Sequence, residues 1–229
     1  MLECTIYPTE FLSIDNLIAD PRGSILFTER AFTTTLTFTS SNPIAGACKL
    51  AYFGQTEKPM FSNSASLKVC VKQAFGIDPN TAKRVVYDGP KQGELLTTEI
   101  NCSRWASALM CRVYEFMDRE NKSYGVEPPF EVPQMRYVNV VLAVANNHKR
   151  ETYMLEEVIG KSDGDFRKYI NNNAATVLSQ MEPSREYVGN FLSFAQHVQM
   201  LETKEQVFVS DQQGQSAEYP LCAVRIYMC

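Results

Sequence analysis

The sequence predicts an α+β fold in two lobes, and three observations carry that prediction. Segments in which apolar and polar residues alternate with period 2 gather in the first two thirds of the chain. One long stretch, from about Glu94 to Met117, repeats its apolar residues at spacings of three and four. A glycine-bounded break, Gly160-Lys-Ser-Asp-Gly164, then separates the strand-rich part from a mixed remainder. An antiparallel, strand-rich half joined by a short link to a mixed half places a cleft between lobes, where ligands favour binding.

Taken in chain order, residues 1–23 have weak periodicity and end in a Pro21-Arg-Gly23 break, so they are expected to form a peripheral arm. From Ser24 the strands SILF and FTTTLTFTS follow, then Gly46 to Gly54 with glycine at both ends. Leu67 to Phe75 is a clear strand, with Leu67, Val69 and Val71 on one face and Lys68, Cys70 and Lys72 on the other. The long helix carries Leu95, Leu96, Ile100, Trp105, Leu109, Val113 and Phe116 on one side. After a proline-containing loop, Tyr137–Ala145 and Thr152–Ile159 flank a polar turn and predict a hairpin. An asparagine-rich stretch, a helix from about Ser184 to Gln199, a strand Gln206–Ser210 and the polar turn Asp211-Gln-Gln-Gly214 complete the pattern. The expected lobes are residues 24–159 and 160–229.

Composition narrows the function. Hydrophobic residues at 45% and charged residues at 21% are those of an ordinary globular protein. A net charge of −4 gives no electrostatic reason for nucleic acid or an anionic membrane as partner. No apolar run approaches the roughly 20 residues of a membrane helix, and MLECTIYPTEF shows no basic stretch followed by an apolar core, so a secretory signal is not expected. The 7 cysteines contain no CxxC pair, so a reduced, cytoplasmic setting is expected.

Four segments carry possible chemistry. Lys72, on the polar face of its strand, reads either as a phosphate partner or as a solvated strand lysine. Gly46, opening Gly-Ala-Cys-Lys-Leu-Ala, either lets backbone approach a phosphate, with Lys49 adding a cation, or closes a simple hairpin. In Tyr153-Met-Leu-Glu-Glu-Val-Ile-Gly160 the adjacent Glu156 and Glu157 point to opposite faces, one toward a cleft and the other toward solvent; the segment also reads as a surface strand. Asp211 and Gln213, just past a strand end, suit a proton acceptor and a Mg²⁺ or phosphate ligand, or a polar turn.

In order, the segments GACKLA, VCVKQ, YMLEEVIG, FRKYINNN, FAQHV and SDQQG resemble the alpha-kinase family of atypical protein kinases. That family shows G-x-[FM]-[RK]-x-A, VxVK, Y-x-x-E-x-x-[IL]-x-G, K-[FY]-x-x-N-N, an AFSHF-like helix and D-x-Q-G. The intervening EINCSRWASALMCRVYEFMDRE and VPQMRYVNVVLAVA resemble fungal members. The resemblance implies a two-lobed atypical protein-kinase-like fold that transfers the γ-phosphoryl group of ATP, with Mg²⁺, to serine or threonine of a protein. It implies that Lys72 contacts phosphate, that Gly46 and Lys49 form the phosphate loop, and that Glu156 or Glu157 lies at the adenine hinge. It also implies Asp211 as catalytic aspartate, Gln213 as metal or phosphate ligand, and His197 at a zinc-ligand position.

After Gly214 the family's second acidic ligand, its G-x-G-N-x-G loop and its H-x-C-x-x-x-C zinc ligands have no counterpart here. The expectation is therefore an incomplete C-terminal lobe, an incomplete zinc set and a weakened Mg²⁺ clamp. The alternatives are a pseudokinase-like module that binds nucleotide or protein without catalysis, and an α+β domain whose matches are accidental.

Overall fold

The computed structural model describes residues 1–9, 13–19, 30–61, 64–125, 128, 131–158, 167–171, 176–178, 183–214, 220–222 and 225–228. The elements are β1 (Leu2–Pro8), α1 (Ile14–Ala19), β2 (Phe32–Phe38), β3 (Ile44–Ala45), β4 (Lys49–Thr56), β5 (Lys68–Ile77), β6 (Arg84–Val86) and α2 (Gly89–Tyr124). There follow β7 (Arg136–Tyr137), β8 (Val140–Ala145), β9 (Thr152–Glu157), β10 (Arg167–Lys168), α3 (Pro183–Glu202), β11 (Val207–Ser210), β12 (Gln213–Gly214), β13 (Pro220–Cys222) and β14 (Arg225–Met228). The SILF segment and the Gly160–Gly164 break lie outside the described residues. Two compact units form: Met1–Glu10 with Arg22–Asn101 and Asn139–Val158, and Phe11–Pro21 with Cys102–Val138 and Ile159–Cys229.

The first unit is an antiparallel sheet in the order β3-β4-β2-β1-β8-β9-β5-β6. Because β4 also pairs with β5 over Lys49–Gln55, the six strands β4-β2-β1-β8-β9-β5 close on themselves. Closure removes open edges and gives the sheet an inner and an outer face. Cys4, Ile6, Leu36, Val69, Val71, Val141, Ala143 and Leu155 fill the inner face as one buried cluster. Lys68, Cys70 and Lys72 therefore face outward, as the alternation predicts.

Residues 2–8 correct the expectation of a peripheral arm. β1 is an interior strand, paired with β2 on one side and β8 on the other, and Cys4 and Ile6 are fully buried. The predicted hairpin is present as β8 and β9, with Val141 opposite Leu155 and Ala143 opposite Tyr153. Its turn is closed by Asn147, whose Oδ1 accepts the Lys149 and Arg150 amides at 3.1 and 3.0 Å.

Helix α2 extends beyond the predicted Glu94–Met117 at both ends. Asp88 caps its start, accepting the Lys91 amide at 3.0 Å on Oδ1, and Pro90 is tolerated in a first turn that needs no donor. Gly125, at φ 65°, ends it, donating to Asn121 O at 2.9 Å. The boundary between the units falls inside this helix, so residues 102–138, expected in the first lobe, belong to the second unit.

In the second unit, Ala106, Leu109, Met110 and Val113 of α2 share a core with Val188, Leu192 and Ala195 of α3. Both sets recur at spacings of three and four, as amphipathic helices require. Around them lie a small sheet in the order β10-β12-β13-β7 and the pair β11-β14. No described helix is long and apolar enough to cross a membrane.

Candidate active site

The outer face of the first unit brings its candidate residues together. In register, Lys72 of β5 lies between Ala51 of β4 and Met154 of β9, and Cys70 lies between Phe53 and Glu156. Lys72 reaches diagonally to Glu156, with Nζ 2.5 Å from Oε2, and the two side chains are only 16% and 9% exposed. The solvated-lysine reading of Lys72 is thereby set aside. Burial, then the Glu156 carboxylate, pushes the neighbouring Cys70 thiol up to about 11.

Lys49, at the start of β4, forms an ion pair with Glu99 of α2. Gly46 donates its amide to Lys49 O at 2.8 Å, which makes Gly46–Lys49 the turn of the β3–β4 hairpin. Gln92, about two turns before Glu99 on the same face of α2, is 1% exposed and clamps Ala74. Its Oε1 accepts Ala74 N–H at 2.8 Å and its Nε2 donates to Ala74 O at 2.6 Å. The strand that carries Lys72 is thus fixed two residues further on by a helix side chain.

Glu156 and Glu157 do point to opposite faces, but Glu157 is not solvated as expected. It is half-buried and accepts from Asn139 Nδ2 at 3.0 Å and Asn139 N–H at 3.4 Å, tying the end of β9 to the residue before β8.

The remaining candidates belong to the second unit. Asp211 follows β11 directly and adopts a left-handed φ of 56°, a conformation that aspartate tolerates better than most residues. The Lys168 ammonium pairs with its Oδ1. Lys168 stands opposite Gln213 in the β10–β12 register, so strand pairing delivers Lys168, Asp211 and Gln213 to one end of this sheet. Tyr169 N–H donates to Gln212 O at 2.9 Å and Ser210 Oγ to Asn171 O at 3.0 Å, which hold the turn from both sides. Sequence reasoning gave Lys168 no role; its only signal was its place in FRKYINNN.

His197 is exposed on α3, beside a groove of about 710 Å³ lined by Gln196, Met200, Leu201, Lys204, Glu205 and Phe208. Among the described residues, no three His, Cys, Asp or Glu side chains converge as a cation site. Among the described residues, His197 is therefore not surrounded by the ligand set of a structural zinc site, which takes four.

A sequence model of the alpha-kinase family matches residues 45–228. No curated protein matches the chain. Among solved structures, an alpha kinase from Entamoeba histolytica is 16% identical, with a TM-score of 0.62 over 99% of this chain and 77% of that one. The alpha-kinase domain of myosin heavy chain kinase A in complex with AMP is 12% identical, with a TM-score of 0.58 over 99% and 85% of the two chains. Its complex with ADP is 14% identical, with a TM-score of 0.54 over 99% and 82%. At such identities these likenesses show the fold, and the match over residues 45–228 shows the family. The chain belongs to the alpha-kinase family of atypical protein kinases.

Proposed function

We propose that this alpha-kinase domain binds ATP as its Mg²⁺ complex and transfers the γ-phosphoryl group to a serine or threonine hydroxyl of a protein. The observation that carries the reading is the Lys72–Glu156 pair: a lysine held by a carboxylate on a largely dry face, where a phosphate oxygen can take over one of its donors. Lys49 adds a second cation on β4, held in reserve by Glu99. Solved domains of myosin heavy chain kinase A in complex with AMP, ADP and AMP-PNP support an adenine nucleotide as the ligand.

In this reading Asp211 accepts the proton of the attacking hydroxyl as its oxygen bonds to phosphorus and the bond to the ADP oxygen breaks. Lys168 sets a cation beside Asp211, where the transferring group gathers negative charge. One carboxylate, Asp211, and one amide, Gln213, suit a Mg²⁺ ion that arrives with phosphate oxygens already in its shell. When bound there, such an ion would supply charge neutralisation for the phosphates. A cytoplasmic setting goes with this reading, since Cys4, Cys48, Cys70, Cys102 and Cys111 are free thiols.

The test is Mg-ATP binding by calorimetry together with transfer of labelled phosphate to the chain itself or to a basic protein. The wild type is expected to bind and to label. Lys72→Ala weakens binding about tenfold or more, the loss of a charge-assisted contact, and Asp211→Ala binds without labelling. Binding with no transfer by the wild type replaces this reading with the nucleotide-binding pseudokinase. Absence of both removes it.

A further inference from the structure

Strand β11 pairs with β14 along one edge. Along the other, side chains of α3 and of Thr203, which follows it, take the place of a neighbouring strand. Thr203 Oγ1 accepts the Val207 N–H at 3.1 Å, and Gln199 Oε1 accepts the Val209 N–H at 2.9 Å. Gln196 Nε2 donates to Val209 O at 2.7 Å, and Gln212 Nε2 adds a second donor to the same oxygen at 3.1 Å. Gln196, Gln199 and Thr203, the residue that follows α3 and donates its N–H to Gln199 O at 3.0 Å, recur at three and four residues and so share one face. Gln196 is 3% exposed, and Gln199 and Gln212 are fully buried.

Polar side chains at such depth are retained where their hydrogen bonds fix a geometry. The geometry fixed here is that of the peptide two residues before Asp211, where the chain turns into the left-handed region at φ 56°. An L-residue stays there because its surroundings hold it. We propose that Gln196 and Gln199 are positioning residues that set the Asp211 carboxylate by holding the Val209 peptide. The proposal rests on the reading of Asp211 as the catalytic aspartate.

The chemistry of the two glutamines gives opposite expectations for one substitution. Gln199 uses only its acceptor: its Nε2 has no hydrogen-bond partner among the described residues. Gln199→Glu keeps that acceptor, whereas Gln199→Met removes it. Gln196 uses its donor, so Gln196→Glu sets an oxygen against Val209 O. A purely space-filling role gives the opposite order at Gln199, because in a fully buried place an apolar Met costs less than a Glu.

The experiment measures kcat, KM for ATP and amide exchange at Val209 for these variants, with a thermal melt of each to confirm folding. Gln196→Glu and Gln199→Met are expected to lower kcat about 10- to 100-fold, the effect of misplacing a reacting group, with KM for ATP changed by no more than about twofold. Gln199→Glu restores kcat to within about threefold of the wild type. Exchange at Val209 rises about tenfold in Gln199→Met and not in Gln199→Glu, as loss of one hydrogen bond requires. If Gln196→Glu does not fold, Gln196→Met removes the same donor without charge and carries the same expectation.

Equal behaviour of Gln199→Glu and Gln199→Met, or wild-type kcat in a folded Gln196 variant, overturns the proposal. If Asp211→Asn transfers phosphate normally, the functional reading fails instead. The exchange rates at Val209 then show whether the glutamine clamp exists apart from catalysis, and the positioning role is withdrawn with the function.

Discussion

Lys72 and Glu156 form an ion pair although they are not opposite one another in the sheet. Lys72 faces Met154 across the β5–β9 seam and Glu156 faces Cys70, so the 2.5 Å contact is a diagonal one. A diagonal pair leaves the lysine inclined along the strand rather than pinned across it. That geometry suits a cation that changes partner when a phosphate arrives.

The first prediction concerns the energy of that pair. With side chains 16% and 9% exposed, removal of one partner strands the other in a poorly solvated place. Lys72→Met or Glu156→Gln alone is expected to destabilise the chain by about 2–4 kcal/mol, and the double variant by less than the sum. Urea unfolding of the four proteins gives the coupling. Strict additivity would mean that the pair contributes nothing as a pair.

A second prediction separates conformation from chemistry at Asp211. Asn also tolerates the left-handed region, so Asp211→Asn is expected to melt within a few degrees of the wild type and to lose phosphoryl transfer. Asp211→Ala removes the carboxylate and also places a poorly suited residue at φ 56°, adding about 1 kcal/mol of destabilisation. Melting curves and transfer assays on both variants check this. A fully active Asp211→Asn would show that the carboxylate is not the proton acceptor.

The third prediction compares two glycines on α2. A Cβ on Gly89 would lie 2.3 Å from Arg150 O and 2.8 Å from Lys149 O, rigid backbone on both counts. A Cβ on Gly93 would meet nothing within 4 Å. Gly93→Ala is therefore expected to stabilise by about 0.5–1 kcal/mol through helix propensity, and Gly89→Ala to destabilise by about 1–3 kcal/mol through overpacking. Equal and favourable effects would show that the turn after β8 does not press on the helix start.

What the sequence made legible was whatever depends on neighbours in the chain. The outward Lys68-Cys70-Lys72 face, the β8–β9 hairpin and the turn at Asp211 all follow from local alternation and turn chemistry. Pairings between distant residues were not legible. Lys49 and Glu99 stand 50 residues apart, and β1 is interior only because β2 and β8 come to lie on either side of it. Gln196, Gln199 and Thr203 were missed for another reason. Polar residues at helical spacing read as a solvated face, and nothing local shows that the face meets the open edge of a strand.

The fourth prediction uses pH to test how α3 is joined to α2 within the second unit. Glu202, in the last turn of α3, accepts a hydrogen bond from Arg119 Nη2 at 2.8 Å on Oε1, and its Oε2 forms an ion pair with Arg112 Nε at 2.8 Å. The Arg119 hydrogen bond is the main influence that holds the Glu202 carboxyl below its ordinary value of 4.5; partial burial opposes it, and the charges of Arg119 and Arg112 assist it. A depressed carboxylate contributes stability that is present above the unfolded value and lost as pH falls through the folded one. The loss therefore begins near pH 4.5 and is complete below the folded value. Glu202→Gln keeps the shape and has no proton to gain. The wild type is expected to have the higher urea midpoint at neutral pH, with the gap closing as the pH falls below 4.5. A gap that stays constant through the acid range would mean that the two arginines hold Glu202 no more firmly in the folded chain than in the unfolded one.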